Sequence, residues 1–279
     1  MEKSISSDVI KEEAQEKPWP SCWYDEMRQD PNNLSFWFMK LSGLTELKLP
    51  KTAIVQVPDD IIDCFWCYEG PKRTTFQDEV YAWVKEAVMP EIKEMGFGLI
   101  FLKNGGFSNK FDARCCMPGK DALSIASAIL GINYQALCFE AGGVTEVVIR
   151  ERIGWDNRAA YRIYNGLPLV PEIRVFYDFD AHKVLYAANY WDREKCEEAI
   201  CRNPTNALAY RAAMPGIEEF FEEHKDEVCA LAEKELANVD LPGKWSVDLM
   251  WDAGSREWWL IDMALANQSA YWDPRKAGL

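Results

Sequence analysis

A β-hairpin is predicted by residues 245–263, which read WSVDLMWDAGSREWWLIDM. Both arms are rich in Trp, Val, Leu and Ile, and the Asp-Ala-Gly-Ser segment between them has the composition of a turn. If the turn centres near Ser255, Asp248 lies opposite Asp262 across the ladder. The two side chains then project from the same face of the hairpin, a few residues from the turn.

The two aspartates would place like charges side by side, which destabilises a sheet. In a half-buried sheet the cost grows unless a proton or a cation lies between the carboxylates. A divalent metal ion is the simplest occupant, and the alternative is a solvated face that tolerates two acids. The same alternation sends Val247, Leu249 and Ile261 to the other face of the hairpin, where we expect them to pack in the core.

Size and charge limit the classes of protein that fit. The chain has 279 residues, enough for a large core and two or three lobes. A net charge of −14 argues against general nucleic-acid binding and against an anionic membrane surface. No apolar run approaches the roughly 20 residues of a membrane span, and the polar N-terminus has no signal-peptide pattern. We therefore expect a cytoplasmic protein.

Cysteine and histidine usage bears on two kinds of chemistry. Nine cysteines without a secretory signal suggest a reducing compartment. Cys64 and Cys67 have the spacing of a zinc knuckle or a redox pair, but buried apolar thiols are the favoured interpretation because no second CxxC pair follows. The chain has only two histidines, and neither lies near a nucleophile motif. Ser-His or Cys-His catalysis is therefore not expected.

The order of predicted elements indicates an α+β fold, because helices and strands are mixed and antiparallel hairpins come late. Strands are predicted over residues 52–58, 98–103, 144–153, 172–178 and 184–190. Helices are predicted over residues 76–95, 121–132 and 216–238 from their hydrophobic spacing. Pro90 is expected to kink or split the first of these helices.

A lysine at a strand end precedes a glycine-rich turn in the sequence FLKNGGFSNK. Gly105 and Gly106 allow backbone N–H groups to approach phosphate oxygens. Ser108 adds a hydroxyl to this turn, and Lys103 and Lys110 add positive charge. The pattern indicates a phosphate site, with a plain turn and solvated lysines as the alternative.

Two further strands carry charged side chains. Arg150 and Glu151 end a strand, either as the rim of a sheet or as a place where a carboxylate takes a ribose hydroxyl and backbone groups read an adenine edge. Glu172 and Arg174 share one face of the next strand, where they either pair with each other or bind a phosphate oxygen through the arginine. Together with the glycine turn and the carboxylate hairpin, they form the set that a nucleoside triphosphate with magnesium requires.

These segments, in this order, resemble the ATP-grasp superfamily. The resemblance rests on FLKNGGFSNK at 101–110, VVIRERI at 147–153, PEIRVF at 171–176, VD at 247–248 and LID at 260–262. It is nearest to the branch that contains assembly factors for a eukaryotic translation initiation factor and related phage and bacterial proteins. It covers roughly residues 97–270.

The resemblance implies two α+β lobes that hold a nucleotide between them, with a smaller N-terminal region. The expected boundaries are a mobile tail over 1–17, an N-terminal lobe over 18–96, a small lobe over 97–153 and a large lobe over 154–279. Substrate specificity would come from the N-terminal lobe and from the loops 155–170 and 191–215.

The resemblance also assigns residues to ATP and Mg²⁺. The expected nucleotide-binding residues are Lys103, Gly105, Gly106, Ser108, Lys110, Ile149, Arg150, Glu151, Glu172 and Arg174. Asp248 and Asp262 would bind magnesium. Many members have an asparagine two residues after the second acid, but Ala264 stands there in this chain. Asn267 is the nearest amide that could reach back to the metal, which puts a second metal ion in doubt.

One further phosphate ligand has no single match. The family has a phosphate-binding lysine in its N-terminal region, for which Lys51, Lys72 and Arg73 are the candidates.

The function implied by the resemblance is that of a Mg-ATP-dependent carboxylate-amine ligase. ATP would phosphorylate a carboxylate substrate, and an amine would attack the acyl phosphate to form an amide or peptide bond, with Lys103 and Arg174 as the catalytic residues. The alternative is an ATP-binding assembly factor or chaperone for a partner protein, without ligase chemistry.

Overall fold

The computed structural model describes residues 20–66, 73–96, 98–119, 121–202 and 204–278. Helices and antiparallel sheets are mixed along the described chain, which confirms the predicted α+β class. The tail predicted over residues 1–17 lies outside the described residues, as do Cys67 and Lys72. Within the described part of the chain, no helix is long and apolar enough to span a membrane.

The smaller sheet contains three antiparallel strands in the order β1-β3-β2. Their bounds are β1 Thr52–Gln56, β2 Phe101–Asn104 and β3 Glu146–Arg150. The central strand β3 is buried along its whole length, and its residues alternate between two cores. Val147 and Ile149 join the helical core, whereas Val148 joins the core of the larger sheet. Arg150 has the same parity as Val148 and therefore points toward the larger sheet.

The larger sheet contains four antiparallel strands in the order β7-β6-β8-β9. Their bounds are β6 Glu172–Asp178, β7 Lys183–Asn189, β8 Lys244–Asp252 and β9 Glu257–Leu265. A third, two-stranded pair lies before them, formed by β4 Arg162–Ile163 and β5 Leu167–Pro168. This pair falls in the region 155–170 that was predicted as loop, so part of that loop is a short hairpin.

The helices that cover the sheets have the following bounds: α1 Ser21–Arg28, α2 Leu34–Trp37, α3 Asp59–Trp66, α4 Arg73–Trp83, α5 Met89–Met95, α6 Ala113–Cys116, α7 Ala122–Cys138, α8 Arg193–Arg202 and α9 Ala207–Leu236. The Asp121 side chain accepts a hydrogen bond from the Ser124 backbone N–H and so fixes the predicted start of α7. A π-turn over Val84–Val88 separates α4 from α5. It ends two residues before Pro90, which lies in the first turn of α5. The predicted disturbance at Pro90 thus takes the form of a π-turn within a segment that remains helical, because proline cannot donate the helical hydrogen bond.

Helix α9 begins earlier than its sequence predicts. Hydrophobic spacing predicts a start at residue 216, but the helix already runs from Ala207 and contains Pro215 in its interior. Tyr210, Met214 and Ile217 are buried on one side of this segment in a cluster with α8. Tertiary packing therefore outweighs the hydrogen bond that the proline removes. Helix α8 and the early start of α9 show that the prediction of a loop over 191–215 is wrong.

The cores do not follow the predicted boundary of an N-terminal lobe at 18–96. Helices α1, α3, α4 and α5 pack with α7 against the small sheet. Residues 34–49 instead pack against the larger sheet and α9, where Trp37 and Leu41 are fully buried. The N-terminal region is thus divided between the two halves of the molecule instead of forming a separate body.

The β8–β9 hairpin has the predicted register, with Asp248 opposite Asp262. A β-bulge follows this pair, since Leu249 is opposite Leu260 and Ile261 is left as the extra residue. The prediction that Ile261 faces the core is therefore wrong. Leu260 takes the core position, and Ile261 turns to the other face, where it lines a cavity.

Gly143 packs directly against the backbone of the glycine-rich turn. Its backbone has φ +74°, and its carbonyl accepts a hydrogen bond from the Gly105 N–H at 2.9 Å. A Cβ atom at this position would lie 2.1 Å from the backbone nitrogen of Gly106. The turn can therefore keep its place only if residue 143 has no side chain.

We predict that Gly143→Ala lowers the free energy of unfolding by about 1–3 kcal/mol, from the strained φ and the displaced turn. Urea denaturation followed by circular dichroism measures the change. Gly216→Ala is the matched control, because an added Cβ there meets nothing within 4 Å. In the helix interior this control should raise stability by roughly 0.5–1 kcal/mol. Equal stability of Gly143→Ala and the wild type would contradict the role of Gly143.

Candidate functional site

A cavity of about 350 Å³ lies between the inner face of the small sheet and the front face of the larger sheet. Its volume is within the range of ligand sites in proteins. Ten of the predicted site residues line it, contributed by both sheets and by the glycine-rich turn: Lys103, Gly106, Ser108, Lys110, Arg150, Glu151, Glu172, Arg174, Asp248 and Asp262. The structure thus brings together segments that are separated by more than a hundred residues in sequence.

Three predicted site residues do not line this cavity. Ile149 points into the helical core, because it precedes Arg150 on a strand whose residues alternate between faces. Gly105 faces Glu146 and Asn33, whose side-chain atoms lie within 3 Å of where its Cβ would be. Asn267 is exposed in a single turn after β9, and its neighbour Gln268 lines the cavity instead.

Arg174 and Asp248 form a two-point ion pair on adjacent strands, where they are register partners. The Arg174 Nε and Nη2 atoms each donate to one carboxylate oxygen at 2.7 Å. Both side chains are nearly buried. Burial by itself would lower the pKa of Arg174, but the charge and hydrogen bonds of Asp248 raise it above its ordinary value. Arg174 therefore does not pair with Glu172, one of the two arrangements that its strand position left open.

Lys103 and Asp262 form a second ion pair, which crosses from the small sheet to the larger one. The Lys103 Nζ atom donates to the two carboxylate oxygens at 2.8 and 3.0 Å. The lysine is 2% exposed, whereas the aspartate is 38% exposed. Each carboxylate of the hairpin therefore faces its own protein cation, one supplied by β6 and the other by β2.

Tyr190 lies between two of the cationic side chains. The Lys110 Nζ atom donates to its hydroxyl and lies 3.9 Å from the ring centroid. The Arg174 guanidinium lies 4.9 Å from the same centroid. Sequence reasoning missed Tyr190 because no motif contains it. The only available signal was its place at the end of the strand that pairs with Glu172 and Arg174.

Glu172 is a buried and Lys110 a half-buried ionisable group in the same cavity. Burial raises the pKa of Glu172 to about 8, although the positive charge of Lys110 opposes the shift. Burial also lowers the pKa of Lys110, and the negative charge of Glu172 opposes that change. The cavity therefore contains a carboxyl group that keeps its proton at pH values above those at which carboxyl groups ordinarily ionise.

Arg150 has an unused hydrogen-bond donor in the cavity wall. Its Nε atom donates to Thr52 Oγ1 at 3.1 Å, and its Nη1 atom donates to the Ile261 carbonyl. Its buried Nη2 atom has no acceptor among the described residues. Burial lowers the pKa of Arg150 to about 10. A buried guanidinium with a free donor favours an anionic or carbonyl-bearing ligand in this cavity.

The remaining expectations have mixed outcomes. Lys51 does not line the cavity, because its Nζ atom donates to the Met95 carbonyl at 3.1 Å. Arg73 has no described side chain. Cys64 is buried and donates to the Asp60 carbonyl, as expected of a structural thiol. Over the described ranges, no cluster of three or more His, Cys, Asp or Glu side chains has the geometry to hold a metal ion.

Comparisons with known proteins find similarity in solved structures only. No protein-family model matches the chain, and no curated protein matches it. A C-terminally truncated Cdc123 from Schizosaccharomyces pombe is 14% identical, with a TM-score of 0.48. Cdc123 from the same organism is also 14% identical, with a TM-score of 0.43. Each alignment covers 90% of this chain and 87% of the other. At this level of similarity neither comparison assigns a function.

We predict that Glu172 makes stability depend on pH. Its folded-state pKa of about 8 is above the ordinary carboxyl value, so the folded chain keeps a proton that the unfolded chain releases. This contribution is fully present below about pH 4.3 and is lost as the pH rises through about 8. Glu172→Gln should remove this pH-dependent loss of stability. Its free energy of unfolding relative to wild type should therefore rise between about pH 5 and about pH 8 in urea denaturation. Parallel curves for the two proteins would contradict the prediction.

Proposed function

We propose that the cavity binds ATP together with magnesium. The observation that carries this proposal is the pairing of two opposed aspartates with buried cations from two different sheets, all lining one cavity. Lys103, Lys110 and Arg174 supply charge for phosphate oxygens, and Asp248 and Asp262 supply oxygen ligands for a metal. A site that bound a neutral metabolite would not need three buried or half-buried cations.

The phosphate end of the site would be formed by the cationic side chains and the glycine-rich turn. Gly106 and Ser108 line the cavity beside Lys110. The Gly106 N–H already donates to Asn104 Oδ1 at 3.0 Å, so the Ser108 hydroxyl and the Lys110 ammonium are the donors that this turn would offer. The free Nη2 atom of Arg150 is a further donor for an anionic ligand. These donors fit a triphosphate, which offers many acceptor oxygens close together.

The magnesium end fits the two aspartates even though each already has a partner. Each oxygen of Asp248 accepts one hydrogen bond from Arg174, and a carboxylate oxygen has two lone pairs. Asp262 lies on the open side of the cavity and is the more accessible of the two. When bound, magnesium would neutralise charge on the phosphates. We infer one ion rather than two, because Asn267 does not line the cavity.

The base end fits an adenine ring. Ile153, Trp155, Val170 and Met250 line the cavity beside Glu151. These side chains provide apolar surface, as expected of a nucleobase pocket with a few polar groups. The strand end after Arg150 lines the same cavity, and we expect backbone groups near Glu151 to contact the edge of the base there. The Glu151 N–H itself is not available, because it donates to the Lys51 carbonyl at 2.9 Å.

Two uses of the bound nucleotide follow from the resemblance to ATP-grasp proteins. The favoured one is an ATP-binding assembly factor or chaperone that acts on a partner protein. The second is the carboxylate-amine ligase, in which Lys103 and Arg174 would neutralise the phosphoryl group during transfer. The specific observation for the ligase is that both cations line the same cavity as the proposed metal ligands.

We predict that Asp262→Asn lowers the magnesium-dependent affinity for ATP by about tenfold or more, the range typical of a weakened metal site. It should also abolish any ATP turnover. Isothermal titration with a non-hydrolysable ATP analogue and Mg²⁺ measures the affinity, and circular dichroism checks the fold. Asp252→Asn is the control, because it makes the same charge change in the same hairpin outside the cavity. Survival of wild-type binding and turnover in Asp262→Asn would exclude the metal role.

A second measurement separates the two uses. The wild-type protein is incubated with Mg-ATP, and ADP and phosphate are quantified with and without a panel of carboxylic acids and amines. Tight binding without ADP is the result expected of the assembly factor. Release of ADP that depends on an acid and an amine would instead establish the ligase.

A further inference from the structure

A second cleft lies on the rear face of the hairpin, away from the cavity. It has a volume of about 460 Å³ and lies between the segment around Glu46, the second half of α9 and the tip of the β8–β9 hairpin. Met250 lines the front cavity, whereas the next residue, Trp251, lines this rear cleft. The two compartments are thus separated by a single layer of sheet.

Aromatic rings form the walls of the rear cleft. Trp251 and Trp258 are register partners on adjacent strands, with ring centroids 5.2 Å apart. His224 on α9 stacks parallel to Trp251 with a centroid separation of 6.2 Å. The half-buried Trp251 ring, supported by the buried Trp258 ring, gives a rigid apolar surface on which the stem of a long side chain can lie.

Trp258 carries a buried hydrogen-bond donor. The residue is 4% exposed, and its indole Nε1 atom has no acceptor in the described part of the chain. A buried N–H group without an acceptor costs about 1–3 kcal/mol. Because the ring borders the cleft, an acceptor on a bound ligand would remove this cost, and a peptide carbonyl is the commonest acceptor in proteins.

The residues that line the cleft carry a small net negative charge, and the helix beside them is strongly acidic. Between residues 218 and 235, helix α9 carries eight carboxylates and two lysines. At the cleft itself the carboxylates are Glu46, Glu227 and Glu257, and the cations are Lys234 and Arg256. Lys234 is paired with Glu46, and Lys48 lies 3.4 Å from Glu257. The Glu227 carboxylate lies 3.0 Å from the His224 Nδ1 atom. It has no lysine or arginine partner among the described residues, so its negative charge is available to a cationic ligand.

From these features we infer that the rear cleft binds a basic segment of a partner polypeptide. A lysine or arginine stem would lie against the tryptophans, its charge would reach Glu227, and a carbonyl of the same segment would accept from the Trp258 indole. This site needs neither ATP nor magnesium. It adds the kind of partner to the proposed role in assembly, but the inference stands without that role.

The test uses the full chain labelled with ¹⁵N-tryptophan. The Trp258 indole resonance is assigned by its loss in Trp258→Phe, and the protein is titrated with the tripeptide Ac-Lys-Leu-Lys-NH₂. The expected result is a saturable shift of the Trp258 resonance, with no such shift for Ac-Glu-Leu-Glu-NH₂. A Trp258 resonance that does not move, or that moves equally with both peptides, would overturn the inference.

Charge variants sharpen the same titration. Glu227→Gln should weaken binding of the basic tripeptide by about threefold, the size expected for a partly exposed ion pair. Glu219→Gln is the matched control, because it makes the same charge change at an exposed position of α9 outside the cleft. Equal weakening by both variants would show only long-range charge attraction and would overturn the site.

Two further arms of the titration distinguish a peptide site from a small-cation site and from an extension of the front cavity. Choline carries a positive charge but no carbonyl group. If it shifts the Trp258 resonance as much as the tripeptide does, the cleft is a small-cation site and the inference is overturned. Asp262→Asn should bind the tripeptide with unchanged affinity. Loss of peptide binding in that variant would tie the rear cleft to the front cavity and contradict their independence, whereas failure of ATP binding alone would leave the rear site intact.

Discussion

The arrangement of the front cavity depends on two like charges that lie opposite each other in one hairpin. Asp248 and Asp262 can share a half-buried face only because each meets a cation held by another strand. Arg174 comes from the neighbouring strand of the same sheet, so the first pair fixes the sheet internally. Lys103 comes from the other sheet, so the second pair fixes the distance between the two halves of the molecule. The position of the cavity is a consequence of these two pairs.

Much of this arrangement could be predicted from the sequence, because it depends on local pattern. The hairpin register follows from its turn, the disturbance at Pro90 from the missing N–H, and the shared face of Glu172 and Arg174 from strand periodicity. The convergence of ten predicted residues on one cavity follows from reading several weak motifs as one set. The grouping of these motifs into one site also relied on their resemblance to a known superfamily, because no local pattern shows that the segments meet.

The remaining features depend on packing that the sequence does not encode locally. Ile261 breaks the alternation of its strand through a bulge, and α9 continues through Pro215 because its apolar side is buried against α8. Tyr190 contacts Lys110 and Arg174 only because a loop from the small sheet reaches the end of β7. The division of residues 18–96 between two cores is likewise a long-range result. Each case is a tertiary contact overriding a local rule.

The bulge at Ile261 has a consequence for how the two sheets are joined. The extra residue of a bulge has no partner in the strand ladder, so its backbone groups can bind elsewhere. The carbonyl of Ile261 accepts a hydrogen bond from the guanidinium of Arg150 on the small sheet. Removing that one residue would give a more regular hairpin with the same two aspartates still opposed. It would also remove the acceptor that holds the other sheet, so a more regular ladder would make a looser molecule.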